Sequence, residues 1–432
     1  MANLIIIPYL LIFLNCLRNS FQSYITYNFK KSTKETKIYP DNLLQNDLEI
    51  TIKIGTPPQS IDLNLRSKVY TFFIASSKAD LNLPYTTFNE TESTTLIKEN
   101  DEPEEYLGQE YKEGHKIYES IIINEKEIKN ISLILATKVL YKESGALGLR
   151  LIESHEYGDD LSFIYQIKHH ANLDNYAFTL KYDNDNKGEL IIGSYPHLYD
   201  KNYEEANFVY TRAGTIGNNV DWVFDFDVIR YDNKTINSIV KKALIKVEYG
   251  LIQAPYRLKK YFNDNFFNNS CNERFNYLKN IFIIHCDKSF EIKNFKNLSF
   301  ILKDIEYEFI LTYKDLFIEE NNEYVFSIVF DSDFSEGSTW ILGKSFMKKY
   351  QLVFDLERKI IGLYKKNTNK ENYVKNQKIN KFVIYIILLI IFSCICIGLL
   401  VYLIYIIKKP RRNRACELND DNFDYIASDS IQ

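Results

Sequence analysis

No charged residue occurs in the 26 positions from Phe382 to Ile407. A run of that length and uniformity crosses a hydrocarbon core about 30 Å thick with some tilt, so everything else in the chain must lie on one side of a bilayer or the other. Lys408, Lys409, Arg411, Arg412 and Arg414 follow at once and place the tail 408–432 in the cytosol by the positive-inside rule. A shorter apolar run, Leu4 to Leu17, opens the chain and ends in polar Arg18, Asn19 and Ser20. It reads as the h-region of a signal peptide over 1–22. No small-x-small cleavage site is visible, which leaves a buried strand or an uncleaved anchor open. The resulting expectation is a single-pass type I membrane protein with its large N-terminal part luminal or extracellular. A juxtamembrane linker covers 367–381, and the lipid bilayer is the partner of 382–407.

Cysteine placement suits that address. Cys16 falls in the signal segment, Cys394 and Cys396 in the apolar run and Cys416 just beyond it, leaving Cys271 and Cys286 in the ectodomain. In an oxidising compartment such a pair forms a disulfide, with two buried thiols as the alternative. Two cysteines beside His285 do not make a zinc set. Asn89, Asn130, Asn233, Asn268 and Asn297 each open an Asn-x-Ser/Thr triplet, so all five are candidate glycosylation sites. In a chain this rich in asparagine, such triplets also arise by chance.

With 53 Lys and Arg against 57 Asp and Glu, the chain carries a net charge of −4, so no positive field points to nucleic acid. Its 46% apolar content excludes wholesale disorder. Period-two alternation dominates the ectodomain. Leu48, Ile50, Ile52 and Ile54 alternate with polar residues, Gly55-Thr56-Pro57-Pro58 turns, and Ile61, Leu63 and Leu65 resume the pattern, which predicts a hairpin with one buried face. Trp222, Phe224, Phe226 and Val228 alternate with Val223, Asp225 and Asp227 before a turn at 232–234, which predicts a second hairpin. Other strands are predicted at 119–123, 132–136, 178–182, 189–192, 325–330 and 351–354, with short helices at 161–170 and 255–263. About 340 residues of mostly β structure is too much for one sandwich, so two lobes are expected.

These stretches carry a family resemblance. Ile54 to Gln59 (IGTPPQ) followed by an alternating strand resembles the entry to the first active-site loop of pepsin-like aspartic proteases (peptidase A1). Phe88-Asn89 through Thr95, Gly145-Ala146-Leu147-Gly148-Leu149, the run from Phe178 to Tyr195 with Gly188 to Gly193, and Trp340-Ile341-Leu342-Gly343 through Gly362-Leu363 are similar to later family landmarks, in family order. The resemblance implies a bilobal pepsin-like double β-barrel, mostly β, with lobes at 47–190 and 191–366 behind a short segment at 23–46. It implies no cofactor, and no Gly-rich phosphate loop, HExxH helix or CxxC pair appears.

The family's chemistry needs two carboxylates about 3 Å apart that share a proton, one activating water and the other polarising the peptide carbonyl. Each belongs to an Asp-Thr/Ser-Gly loop. Counting from IGTPPQ, the first loop falls on Arg66-Ser67-Lys68-Val69; counting back from Pro255, the second falls on Lys246-Val247-Glu248-Tyr249. Cations occupy both aspartate positions, and Arg66 stays protonated at any relevant pH, so it is no general base. Neither Asp62 nor Asp331-Ser332-Asp333 restores a pair. The flap tyrosine falls near Tyr106 or Leu107.

The expectation is therefore a family member without either catalytic aspartate that binds a peptide or protein in its cleft. Arg66, Ser67, Lys246, Tyr249 and Tyr106 are its candidate binding residues. Two adjacent cations must turn to solvent, pair with acids or hold an anion such as a peptide carboxylate. The competing readings are an active aspartic endopeptidase, a Ser67–lysine catalytic pair, and a rigid surface scaffold.

Overall fold

Leu48–Ile54 and Gln59–Arg66 form the antiparallel hairpin that their alternation requires, with Ile50 opposite Leu63 and Ile52 opposite Ile61. Ile50, Ile52, Ile54, Ile61, Leu63 and Leu65 are all buried. Gly55 takes a φ of +85° at the turn, and the Thr56–Pro57 bond is cis. This computed structural model describes residues 24–32, 43–79, 86–105, 111–123, 125–140, 143–152, 161–217, 219–237, 240–267, 271–277, 279–332 and 339–365, with Gly398, Leu399 and Tyr402. The expected signal peptide 1–22, linker 367–381, tail 408–432, Tyr106, Leu107, Asn268, Cys16, Cys394, Cys396 and Cys416 lie outside the described residues, as does nearly all of 382–407. No helix among the described residues is long and apolar enough to cross a membrane.

Residues through Lys365 belong to one unit. Among the described residues its largest sheet has 14 strands, running from the edge strand Phe208–Arg212 through Ile360–Tyr364 and Val353–Asp355 to Ala177–Asn184 and on into the first half of the chain. A nine-stranded and a four-stranded sheet take their strands from residues 223–342. This mostly β body is consistent with a pepsin-like bilobal fold.

Ile25–Lys31 is a strand between Lys187–Ile192 and Leu48–Ile54, so part of the short segment 23–46 is built into the largest sheet. Ile25 and Phe29 are buried there. Their alternation with Thr26 and Asn28 was a legible strand signal.

Two predicted strands break. The stretch 222–228 divides into Val223–Asp225, paired with Lys242–Ile245, and Val228–Tyr231, paired with Leu298–Leu302. Asp227 sits at the switch, where its carboxylate accepts the Lys303 N–H at 2.6 Å. The stretch 325–330 breaks at Ser327, whose N–H donates to Leu316 O and whose carbonyl accepts Ile252 N–H. Glu323–Phe326 then pairs with Phe317–Glu320, and Ile328–Asp331 runs parallel to Ile252–Ala254. The predicted helices appear as Phe163–Ala171 and Arg257–Phe262.

An internal repeat positions the site. Gln59–Arg66 runs parallel to Gly145–Gly148, which pairs antiparallel with Phe72–Ala75, itself parallel to Lys126–Val139. Lys242–Ile245 runs parallel to Trp340–Leu342, which pairs antiparallel with Ile252–Ala254, itself parallel to Ile328–Asp331. Phe72 faces Leu147 as Ile252 faces Leu342, and the Gly148 and Gly343 N–H groups donate to Thr71 O and Leu251 O. Arg66 and Lys246 each stand five residues before those carbonyls. Geometry alone makes them equivalent.

Cys271 and Cys286 are bonded at 2.05 Å across the hairpin Cys271–Asn276/Ile281–Asp287. Closing a loop of about 15 residues constrains the unfolded chain by roughly 3 kcal/mol. Replacing both cysteines by serine should lower unfolding free energy by about that amount; an unchanged denaturation midpoint would show that the bond does not constrain the unfolded state. Asn130, Asn233 and Asn297 are exposed. Asn89 is half-buried, with its Oδ1 accepting from the Thr91 N–H and hydroxyl.

Candidate functional site

Arg66 ends its strand with a side chain that is only 13% exposed. Burying a guanidinium requires counter-charges, and two are supplied. Nη1 donates to Asp47 Oδ1 at 2.6 Å and Nη2 to Glu143 Oε2 at 2.9 Å. Glu143 is 3% exposed, and the same Oε2 accepts the buried Asn64 Nδ2–H at 2.7 Å. Asp47 immediately precedes the strand Leu48–Ile54, and Glu143 precedes Gly145–Gly148. The paired-with-acids outcome thus holds at the first motif position. The guanidinium of Arg66 is directed to these two acids, one of the three outcomes expected of a cation at this position.

The next residue links the two repeats. Ser67 Oγ accepts the Val247 N–H at 3.1 Å and donates to Glu248 Oε2 at 2.7 Å, while Ser67 N–H donates to that same oxygen at 3.0 Å. Val247 is the counterpart of Ser67 in the second repeat and has no hydroxyl to return. Glu248, standing where the second loop would have glycine, supplies the missing acceptor. Ser67 is 3% exposed, and its hydroxyl proton goes to Glu248, so a Ser67–lysine catalytic pair is not what the geometry forms.

Residues 43–47 bind both loops. Asn46 N–H donates to Glu248 O, Asn46 Nδ2 to Val247 O at 2.8 Å and to Tyr182 Oη at 3.3 Å, and Gly250 N–H to Leu44 O. Asp47 completes the strap at Arg66. The two equivalent loops are thereby held through one short segment.

Lys246 differs from Arg66. It is half-buried with Nζ 5.3 Å from the centre of the Tyr249 ring, a cation–π contact, and its backbone N–H donates to Leu342 O. Asp221 lies within its field. Burial raises the Asp221 carboxyl, opposed by the Trp222 amide, Arg150 and Lys246 and reinforced by Glu248. Burial also raises the Tyr249 hydroxyl, with Glu248 and Asp331 adding and Lys68 opposing. Of the five expected binding residues, the structure thus joins Arg66 to its own acids, Ser67 to Glu248, and Lys246 to Tyr249. Tyr106 lies outside the described residues.

Sequence reasoning missed Asp47, Glu143, Asn46 and Asn64. Each lies in a different stretch from the residue it serves, and only the parallel pairing of Asn64 with Ala146 and Arg66 with Gly148 brings Glu143 to them. The available signal was a buried cation, which demands acids somewhere. Among the described residues no group of three or more His, Cys, Asp or Glu side chains is placed to hold a metal ion.

The arrangement offers no two mutually facing carboxylates at the equivalent positions. It offers a braced network in which each buried acid is tied to a neighbouring donor. The family model of eukaryotic aspartyl proteases matches residues 49–366, and no curated protein matches the chain. The match covers both motif loops and all strands of the internal repeat, well over half the chain. The chain belongs to the eukaryotic aspartyl protease family.

Proposed function

We propose that this chain is a membrane-tethered aspartyl protease homologue that has lost catalysis and binds a peptide or protein through the surface around its second motif loop. The observation that carries the reading is Arg66, equivalent to Lys246 by strand register and closed into ion pairs with Asp47 and Glu143. Hydrolysis in this family needs one carboxylate to take a proton from water while its partner donates one. A guanidinium does neither at working pH. Glu248 does not restore the pair, because the first motif position holds Arg66 and not a second carboxylate, and the Oε2 of Glu248 is committed to the buried Ser67. Arg66 serves the fold on this reading, and Lys246 with Tyr249 is the part left to meet a ligand.

Tethering rests on the uncharged run 382–407. Lys375, Lys378 and Lys381 precede that run much as the basic residues from Lys408 follow it, so flanking charge alone is a weak guide to side. The disulfide at Cys271–Cys286 and the apolar N-terminal run favour an oxidising, luminal or extracellular side for residues 24–365.

The test is full-length protein in detergent, incubated at acid pH with a denatured protein, with and without a peptide inhibitor carrying a tetrahedral hydroxyl group at the scissile position. No inhibitor-sensitive cleavage is expected. Cleavage that the inhibitor blocks would make the chain an active endopeptidase and overturn the proposal.

A further inference from the structure

Lys246 and Arg66 meet the same demand in opposite ways. A partly desolvated cation needs an acid, a route to water or an anion. Arg66 takes two acids of its own chain. Among the described residues Lys246 Nζ makes no hydrogen bond and no ion pair, and it lies over the Tyr249 ring at 5.3 Å. The turn after the strand Lys242–Ile245 sets this up, because Tyr249 N–H donates to Lys246 O at 3.3 Å and so brings the ring back to the ammonium.

The acids nearby are already engaged. Asp221 Oδ1 accepts the Trp222 N–H at 2.8 Å, and Asp221 Oδ2 lies 3.8 Å from Arg150 Nε. Glu248 Oε2 takes both donors of Ser67, and Asp331 Oδ2 accepts from the Gln253 amide at 3.0 Å. The Tyr249 hydroxyl also makes no hydrogen bond among the described residues. Burial, with Glu248 and Asp331 adding and Lys68 opposing, holds that hydroxyl above its ordinary pKa, so it stays a donor through the physiological range. The ammonium and the phenol, both half-buried, are two neighbouring donors without an acceptor.

We infer that Lys246 and Tyr249 hold a carboxylate of the bound peptide or protein. The inference rests on the binding reading above and names the group that the ligand presents. A carboxylate has two acceptor oxygens and takes a hydrogen bond from each donor at once. Its single charge also fits. Lys68, Arg150 and Lys246 are balanced by Asp221, Glu248 and Asp331, so a doubly charged phosphate would meet repulsion that one unpaired ammonium does not offset. The ligand thereby supplies to Lys246 the counter-charge that Asp47 and Glu143 supply to Arg66 from within the chain.

Immobilised full-length protein in detergent is offered an equimolar pool of N-acetylated octapeptides whose variable positions are drawn from uncharged residues. One set carries a fixed central glutamate and an amidated C-terminus, a second a central glutamine and the same amide, and a third the glutamine with a free C-terminal carboxylate. Captured peptide is counted by mass spectrometry. Enrichment of about tenfold for a carboxylate-bearing set over the amidated glutamine set is expected, and the set that is enriched tells a side chain from a chain end. Lys246→Gln should abolish the enrichment, Tyr249→Phe should reduce it and Lys246→Arg should keep most of it, while unchanged capture of the amidated glutamine set shows that each variant is folded. Capture of all three sets without enrichment, or enrichment that survives Lys246→Gln, overturns the inference and leaves the peptide-binding reading standing. Capture of no set overturns both.

Discussion

Arg66→Ala should destabilise the protein by about 3–5 kcal/mol, the cost of leaving a buried charge without its partner. Glu143 is 3% exposed, and its Oε1 is buried with no hydrogen-bond partner, so nearly all its compensation comes through Oε2 from Arg66 and Asn64. Removing the guanidinium leaves one neutral amide donor on that oxygen. Asp47, 27% exposed, loses less because water reaches it. Chemical denaturation of the disulfide-intact protein measures the loss. Arg66→Met combined with Glu143→Gln should recover a large part of it, since removing both charges of a buried pair is close to neutral where removing one is not. Lys246→Ala, at the equivalent position, should cost about 1 kcal/mol, the scale of a half-exposed cation–π contact. Equal effects at the two positions would sink the distinction between a structural Arg66 and an available Lys246.

The same environment decides what a reversion does. Arg66→Asp sets a third carboxylate beside Asp47 and Glu143, where like charges repel across a poorly solvated space. It should destabilise at least as strongly as Arg66→Ala. Aspartates at both motif positions would therefore not rebuild a dyad, because the first would face two acids and the second would adjoin the loop where Glu248 holds Ser67.

The hairpin 48–66, the Gly145–Leu149 landmark and the Trp340–Gly343 block were legible because each carries alternation or punctuation within a few residues. The strand Ile25–Lys31 carries a weaker signal: Ile25 and Phe29 alternate like any half-buried strand, but Lys30 and Lys31 end the pattern within seven residues. The breaks at Asp227 and Ser327 were hidden for a different reason. Alternation records which face is buried and stays silent on which sheet the strand joins, and in both cases hydrogen bonds from distant residues make the switch. At the site, residue identity gave the loss of both aspartates. The answer to that loss, with Asp47 and Glu143 on Arg66 and Glu248 on Ser67, spans separations of 19, 77 and 181 residues, which no local pattern encodes.

Gly148→Ala and Gly343→Ala should each cost about 3 kcal/mol or more, on the scale of severe overpacking against backbone that has no room to yield. A Cβ on Gly148 would lie 2.3 Å from the Tyr70 carbonyl carbon, and one on Gly343 would lie 2.4 Å from both Tyr249 O and Leu251 O. In each repeat the obstruction is the chain three to five residues beyond the motif position, so the two substitutions strike the same place twice. Gly217→Ala is the control: its φ is +58° but nothing lies within 4 Å, so it should cost only the left-handed penalty of about 1 kcal/mol. Denaturation midpoints compare the three, and losses near 1 kcal/mol at Gly148 and Gly343 would mean that the repeat tolerates a shift of its central strands. The contrast with the motif loops gives these glycines their meaning. Where the family's loops close around catalytic carboxylates, this chain has exposed Lys68 and half-buried Glu248; where main chain passes too close for any side chain, it has kept glycine in a sequence with 15 of them. At Gly148 and Gly343 the constraint is the one that packing of the main chain imposes.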